Sequence, residues 1–316
     1  MSGGLPAGAH WQRPAELGQA LAVLASGGWQ VLAGGTDFYA ARVGRPLPPA
    51  VLDLTGIAAL RGIAPPSQGM AAPSTDGGPA DSGRPADGGP AWRIGATTTW
   101  SDIVRAELPP LFHGLVQAAR EVGGVQVQNR GTVAGNLCNA SPAADGTAML
   151  LALQAEVELS RLDGVRRLPL SRFVLGVRRT ALAPGELLTA IHVPQRSPRA
   201  WSRFLKLGHR RYLVISIVMV GVLLDFDDGD RVTACGIAVG ACAPTARSLT
   251  GLEQALLGQP RARLADRAAA WLAADGLQAL APIDDVRGTG AYRREMAAVA
   301  IGRLLREAAD GTGAGR

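Results

Sequence analysis

Residues 131–148 read GTVAGNLCNASPAADGTA, and an apolar run, MLLAL, follows directly. Small residues dominate the stretch. Gly131 and Gly135 let the backbone approach another group closely, Thr132 and Ser141 offer hydroxyls, and Asn136 and Asn139 offer amides. Asp145 stands where the next helix begins. A carboxylate there either caps that helix or accepts hydrogen bonds from ligand hydroxyls, and a bare cap leaves the long small-residue approach unexplained. The pattern predicts an ordered loop over 131–145, then a helix running into a strand at GTAMLLALQAEVELS.

A second glycine-containing segment lies earlier. LAGGTDFYA, residues 32–40, places Gly34 and Gly35 after an apolar strand, with Thr36 or Asp37 positioned to cap the next helix. Such a turn gathers main-chain N–H donors and suits an anion, of which a nucleotide phosphate is the natural candidate. Alone it is also ordinary helix-entry chemistry, and it is not Gly-x-Gly-x-x-Gly, which argues against a Rossmann-type dinucleotide site. Taken together, the two segments offer donors for a pyrophosphate and amide, hydroxyl and carboxylate partners for a polyol chain. That combination suits flavin adenine dinucleotide (FAD).

Composition bounds the alternatives. The chain has 316 residues, 47% of them hydrophobic, so a sizeable core and two domains are the reasonable expectation. The formal net charge is +6, yet the charges are interspersed, which argues against a nucleic-acid partner. The first residues lack a basic segment followed by an unbroken apolar one, and the longest apolar run, YLVISIVMVGVLL from Tyr212, is too short for a bilayer span and rich in β-branched residues. The expectations are a cytoplasmic protein, no membrane span, and a buried strand over 212–226. Cys138, Cys235 and Cys242 form no Cys-x-x-Cys pair, and His10, His113, His192 and His209 show no metal-ligand spacing, so neither a metal site nor an iron–sulfur cluster is expected in this chain. Cys138 reads as a small buried hydrophobe, and His192, His209 and Asp53 as structural residues.

A helix at 14–26, a strand and helix start at 29–44 and a strand at AVLDLTGI suggest an α/β unit over roughly the first 60 residues. The Gly-, Pro-, Ser- and Asp-rich insertion at about 66–90 reads as a disordered excursion. After a helix at 112–121, strands are expected in VELSRLDGVRRLPL and ELLTAIHVP. Beyond QRSPRA the texture changes to strands at 201–207, 212–226 and 231–241, then helices at about 248–257, 260–275 and 292–309. The break near Ser197 divides the chain into residues 1–196 and 197–310.

VLAGGTDFYA, RIGATTTWSDI, NRGTVAGNLCNASPAAD, ELLTAIHVP, RFLKLGHRRYLVISIV and YRREMAAVAIGRLL, in that order, resemble the FAD-binding medium subunit of the xanthine dehydrogenase and carbon monoxide dehydrogenase family of molybdenum hydroxylases. The resemblance implies an α+β fold: a two-part FAD-binding domain of the vanillyl-alcohol-oxidase (PCMH) type, then a smaller C-terminal α+β domain. It implies FAD contacts at Ala33, Gly34, Gly35, Thr36, Asp37 and Phe38, and at Thr132, Gly135, Asn136, Asn139 and Asp145. Leu188 matches the apolar group expected against the isoalloxazine ring, and Lys206, the only lysine in the chain, matches a basic residue near it that would tune the flavin potential. Val122 stands where animal relatives place an aromatic residue over the ring, and Ala134 replaces a family glycine, which requires a negative φ.

The implied function is electron transfer. A large molybdenum-cofactor subunit hydroxylates the substrate, a small 2Fe-2S subunit relays electrons, and this chain's FAD delivers them to a final acceptor within a hetero-oligomer. No catalytic acid, base or nucleophile is expected here. The alternatives are a self-contained FAD-dependent oxidase or reductase of related fold, and a non-enzymatic assembly module.

Overall fold

The computed structural model describes residues 10–66, 89–210 and 213–311. The fold is α+β and contains three main sheets. The first is small and parallel, with Ala50–Asp53 central between His10–Gln12 and Gln30–Leu32. Its helices, Leu17–Ala25 and Thr36–Ala40, complete the expected N-terminal α/β unit. Ala20, Leu21, Leu52, Leu54, Ile57 and Leu60 form its own core and meet Leu187 of the next sheet.

The second sheet is antiparallel, in the order Ile63–Ala64, Ala91–Gly95, Leu187–Pro194, Glu156–Arg161, Gly164–Pro169. The helices Trp100–Arg105, His113–Glu121, Val133–Asn139 and Asp145–Ala152 belong to this part of the chain. Between the first two strands of this sheet lies the insertion expected to be disordered, which apart from its ends is outside the described residues.

The third sheet is antiparallel and joins Trp201–Leu207, Val218–Phe226, Val232–Gly240 and Arg247–Ser248. All nine residues of Val218–Phe226 are buried, and the reason is visible in which core each side chain joins. Val218, Val220, Val222, Leu224 and Phe226 pack with the C-terminal helices, while Met219 and Leu223 enter the core of the preceding sheet and helices. A strand covered on both faces reads as a continuous apolar run rather than an alternating one. The neighbouring strand places small residues at Ala234, Gly236, Ala238 and Gly240. A methyl group on Gly236 would lie 1.9 Å from the carbonyl oxygen of Ala152, so this glycine is what lets the helix Asp145–Ala152 rest on the sheet.

Three expectations need correction. Residues 131–145 are not a continuous loop, because Val133–Asn139 is a helix. Its Gly and Asn content disfavours helix, but Thr132 caps it by accepting from the Gly135 amide, and Val133, Ala134 and Leu137 are buried. The strand expected from 212 begins at Val218, because its partner Trp201–Leu207 ends with Leu207 opposite Val218; the Ile217 amide still donates to the Leu207 carbonyl, and 213–216 lie beyond the end of that strand. Gly35, in the left-handed region at φ 78°, is the N-cap of Thr36–Ala40, so neither Thr36 nor Asp37 caps that helix through its side chain.

Candidate functional site

The two glycine segments meet. A methyl group on Gly34 would lie 2.0 Å from the carbonyl oxygen of Arg130 and 2.8 Å from the Gly131 Cα, so the backbones touch at a point where no side chain fits. Beside this contact opens a cleft of about 320 Å³. Ala33, Gly34, Gly35, Thr36, Asp37 and Phe38 line one wall; Thr132, Gly135, Asn136 and Asn139 line the other, with Leu188 on the strand Leu187–Pro194.

The local chemistry supplies donors. The first intrahelical bond of Thr36–Ala40 runs from the Tyr39 amide to Gly35, so the amides of Thr36, Asp37 and Phe38 have no acceptor within the helix. On the opposite wall the Asn136 Oδ1 is buried and has no hydrogen-bond partner. A buried orphan acceptor costs about 1–3 kcal/mol unless something satisfies it, and this residue stands on the cleft wall. Asn139 differs: its Oδ1 accepts from Arg178 Nη1 at 2.9 Å. Thr132 lines the cleft while its hydroxyl oxygen accepts from the Gly135 amide at 3.0 Å.

Asp145 and Lys206 are not on the cleft wall. They lie buried and pair with each other, Lys206 Nζ donating to Asp145 Oδ2 at 2.8 Å and to the Glu121 carbonyl at 3.1 Å. Ser216 Oγ donates to the other Asp145 oxygen at 2.7 Å. With both oxygens engaged inside the protein, Asp145 neither caps its helix nor presents a free acceptor to the cleft. Burial raises its pKa, and the Lys206 charge and the hydrogen bonds from Lys206 and Ser216 oppose that rise without overcoming it. Lys206 therefore touches the cleft only indirectly, through Glu121, whose neighbour Val122 lines it.

Several lining residues carry no signal in the two glycine segments. Leu54, Ala96, Thr97, Trp100, Leu182 and Glu186 are among them. Thr97 and Trp100 belong to RIGATTTWSDI, where Thr99 and Asp102 form a reciprocal capping box, a pattern readable as Thr-x-x-Asp ahead of an apolar helix. Cys138 faces the cleft and is exposed, not the buried hydrophobe expected. Ala134 is accommodated as required, since it is absent from the residues with positive φ. Asp53, His192 and His209 fall away from the cleft walls. Asp53 caps the short turn at Leu54–Gly56, His192 is hydrogen-bonded to Glu158 at 2.9 Å, and His209 is exposed.

The donor set suits FAD: amides free of helical acceptors, glycines where a Cβ would close the walls, and an unpartnered amide oxygen. Among the described residues no group of three or more His, Cys, Asp or Glu side chains is placed to hold a metal ion, and no helix is long and apolar enough to cross a membrane.

Comparison with known proteins points to the same cofactor. Residues 86–196 match the FAD binding domain in molybdopterin dehydrogenase, and residues 203–308 match the CO dehydrogenase flavoprotein C-terminal domain. The nicotinate dehydrogenase FAD-subunit of Eubacterium barkeri is 31% identical over 175 residues, 53% of this chain; the match spans 58% of that relative's length, less than two thirds. The carbon monoxide dehydrogenase medium chain of Hydrogenophaga pseudoflava is 32% identical over 224 residues, covering 68% of this chain and 74% of the relative. A structure of reconstituted CO dehydrogenase from Oligotropha carboxidovorans superposes with a TM-score of 0.79 at 25% identity, over 97% of this chain and 99% of that one. The chain belongs to the FAD-binding medium-subunit family of the xanthine dehydrogenase and carbon monoxide dehydrogenase type of molybdenum hydroxylases.

Proposed function

We propose that this chain is the electron-transfer subunit of a cytoplasmic, hetero-oligomeric molybdenum hydroxylase, working with a large molybdenum-cofactor subunit and a small 2Fe-2S subunit. FAD bound here would supply the redox chemistry by which electrons from the iron–sulfur clusters reach a final acceptor. The residues of this chain bind, orient and seclude it. Amides of Thr36, Asp37 and Phe38 would hold the pyrophosphate, Asn136 would offer its free oxygen to a flavin or ribityl donor, and Leu188 and Val122 would line the space for the ring. Asp145 and Lys206 act from behind the wall, fixing Glu121 and hence the position of Val122.

The observation that carries this reading is the character of the lining. Its ionisable groups among the described residues are Asp37, Cys138 and Glu186, with no His, Lys, Arg or Tyr. Glu186 is committed to Arg166 at 2.7 Å and to the Ala183 amide at 2.7 Å, and the Arg166 guanidinium holds its pKa down against burial. Such a cleft orients a cofactor, whereas a self-contained oxidase needs converging acid–base groups over the ring.

Purification tests the proposal. The isolated chain should be yellow and remain oxidised under anaerobic incubation with organic substrates, while the complex with both partners becomes reduced by the substrate of the large subunit. Reduction of the isolated chain by an organic substrate would favour the self-contained enzyme. Cell fractionation that finds the complex outside the cytoplasm would remove that part of the reading.

A further inference from the structure

A short two-stranded ribbon, Val174–Gly176 paired with Arg179–Thr180, stands outside the three main sheets. It presents Leu175 and Val177 to solvent at 49% and 56% exposure. Between Asp163 and Glu186 the chain holds five arginines and no carboxylate. Arg166 and Arg167 are engaged by Glu186 and Glu158, whereas Arg178 and Arg179 are exposed at the turn of the ribbon. A solvent-exposed element with an apolar centre and a basic turn, carrying no acid of its own, fits an acidic partner surface.

The ribbon is also keyed to the cleft. Arg178 has φ 53°, and its amide donates at 3.0 Å to the carbonyl of Ala140, itself at φ 46°. Neither is glycine, so both occupy a costly backbone region, and each is held there by the other. Arg178 Nη1 donates to Asn139 Oδ1, and Asn139 lines the cleft. At its far end the ribbon leads within two residues to Leu182, also on the cleft wall. Whatever docks on the ribbon therefore sits beside the cofactor, and a partner that donates electrons has to come that close.

We infer that the ribbon Val174–Thr180 is the docking element for the iron–sulfur partner, which presents an acidic face with an apolar centre, and that Arg178 registers this contact against the flavin wall. The inference rests on the proposed subunit function. Arg179 carries the electrostatic part of the contact, and Leu175 and Val177 carry the apolar part.

The test titrates FAD-loaded chain with the purified iron–sulfur subunit at several salt concentrations. Wild type should bind with an affinity that falls as salt rises. Val177→Asp/Arg179→Glu should weaken binding about tenfold or more and flatten the salt dependence, with flavin content unchanged. Because both side chains are exposed, unchanged flavin content certifies the variant as folded. A second variant, Leu175→Ser, removes apolar contact without charge and should weaken binding with the salt slope retained. Wild-type affinity in the charged variant overturns the docking assignment alone. A wild type that captures no iron–sulfur subunit overturns both this assignment and the subunit function beneath it.

Discussion

Replacing Lys206 by Met should expose the cost of a lone buried carboxylate, and the structure sets both its size and its pH dependence. The Nζ to Oδ2 distance is 2.8 Å, with the two side chains 6% and 8% exposed. At an effective dielectric of about 20, that separation corresponds to roughly 6 kcal/mol of attraction. The variant does not lose all of it, because Asp145 has an exit: it takes up a proton. From an ordinary carboxyl value of 3.8, neutralising it costs about 4 kcal/mol at pH 7 and about 1.6 kcal/mol at pH 5. These figures cap the loss at each pH. In the variant the folded pKa lies above the unfolded one, so the folded state holds more protons, and stability declines as pH rises through the interval between them. Because Asp145 is already raised in the wild-type pair, urea unfolding of Lys206→Met should show a deficit at pH 7 that stays below the cap of about 4 kcal/mol and shrinks by more than half at pH 5, and Asp145→Asn/Lys206→Met should recover most of it at pH 7. A deficit below about 1 kcal/mol, or one independent of pH, would refute the claim that this pair is a desolvated unit.

Four other outcomes test separate parts of the structure. Gly34→Ala should drive the two glycine segments apart and weaken FAD binding by about tenfold to a hundredfold, measured as flavin released per chain on dilution; Asn136→Ala should weaken it about tenfold by removing the orphan acceptor. Glu158 is pushed upward by burial but more strongly downward by His192, Thr189 and Arg167, to about 2, from 4.5. Its folded pKa being depressed, it contributes stability that is complete above pH 4.5 and lost as pH falls toward 2; after allowance for its partial exposure the term is about 1–2 kcal/mol, and Glu158→Gln should flatten urea midpoints across that interval. Arg293, 3% exposed, donates to the carbonyls of Ile217 and Ala241 and to Asp285, so Arg293→Met should cost about 3 kcal/mol by the same unfolding assay and leave flavin content intact.

The cleft walls were readable because they are local. Gly34-Gly35-Thr36 and Thr132-x-x-Gly135-Asn136 are contiguous backbone features, and a chain that needs close approach or free amides there has few residues to choose from. The strands flanking them were readable for a similar reason, since burial on one or both faces is written into each strand's own pattern. What escaped depended on distant partners. The helix Val133–Asn139 forms against its propensity because Val133 and Leu137 are buried elsewhere in the core. Lys206 and Asp145 read from the sequence as cofactor contacts, yet their mutual pairing joins residues separated by 61 positions, and nothing local reports that each consumes the other. Val218 begins its strand where it does because Leu207 ends the neighbouring one, a limit that no periodicity within 212–226 contains.

The glycines that seat the helix Asp145–Ala152 on the third sheet bear on how such a chain can be rearranged in evolution. A division at Ser197 falls in a link between strands, but Phe204, Met219, Leu223 and Ala238 belong to the same core as Ile94, Trp100 and Leu150. Recombination at that link would strip one side of a double-covered sheet and leave a glycine-paved trough with no helix to fill it. Exchange of the C-terminal portion between lineages is therefore constrained to donors whose helix carries equally small residues at the crossing, and the two portions are expected to be inherited together.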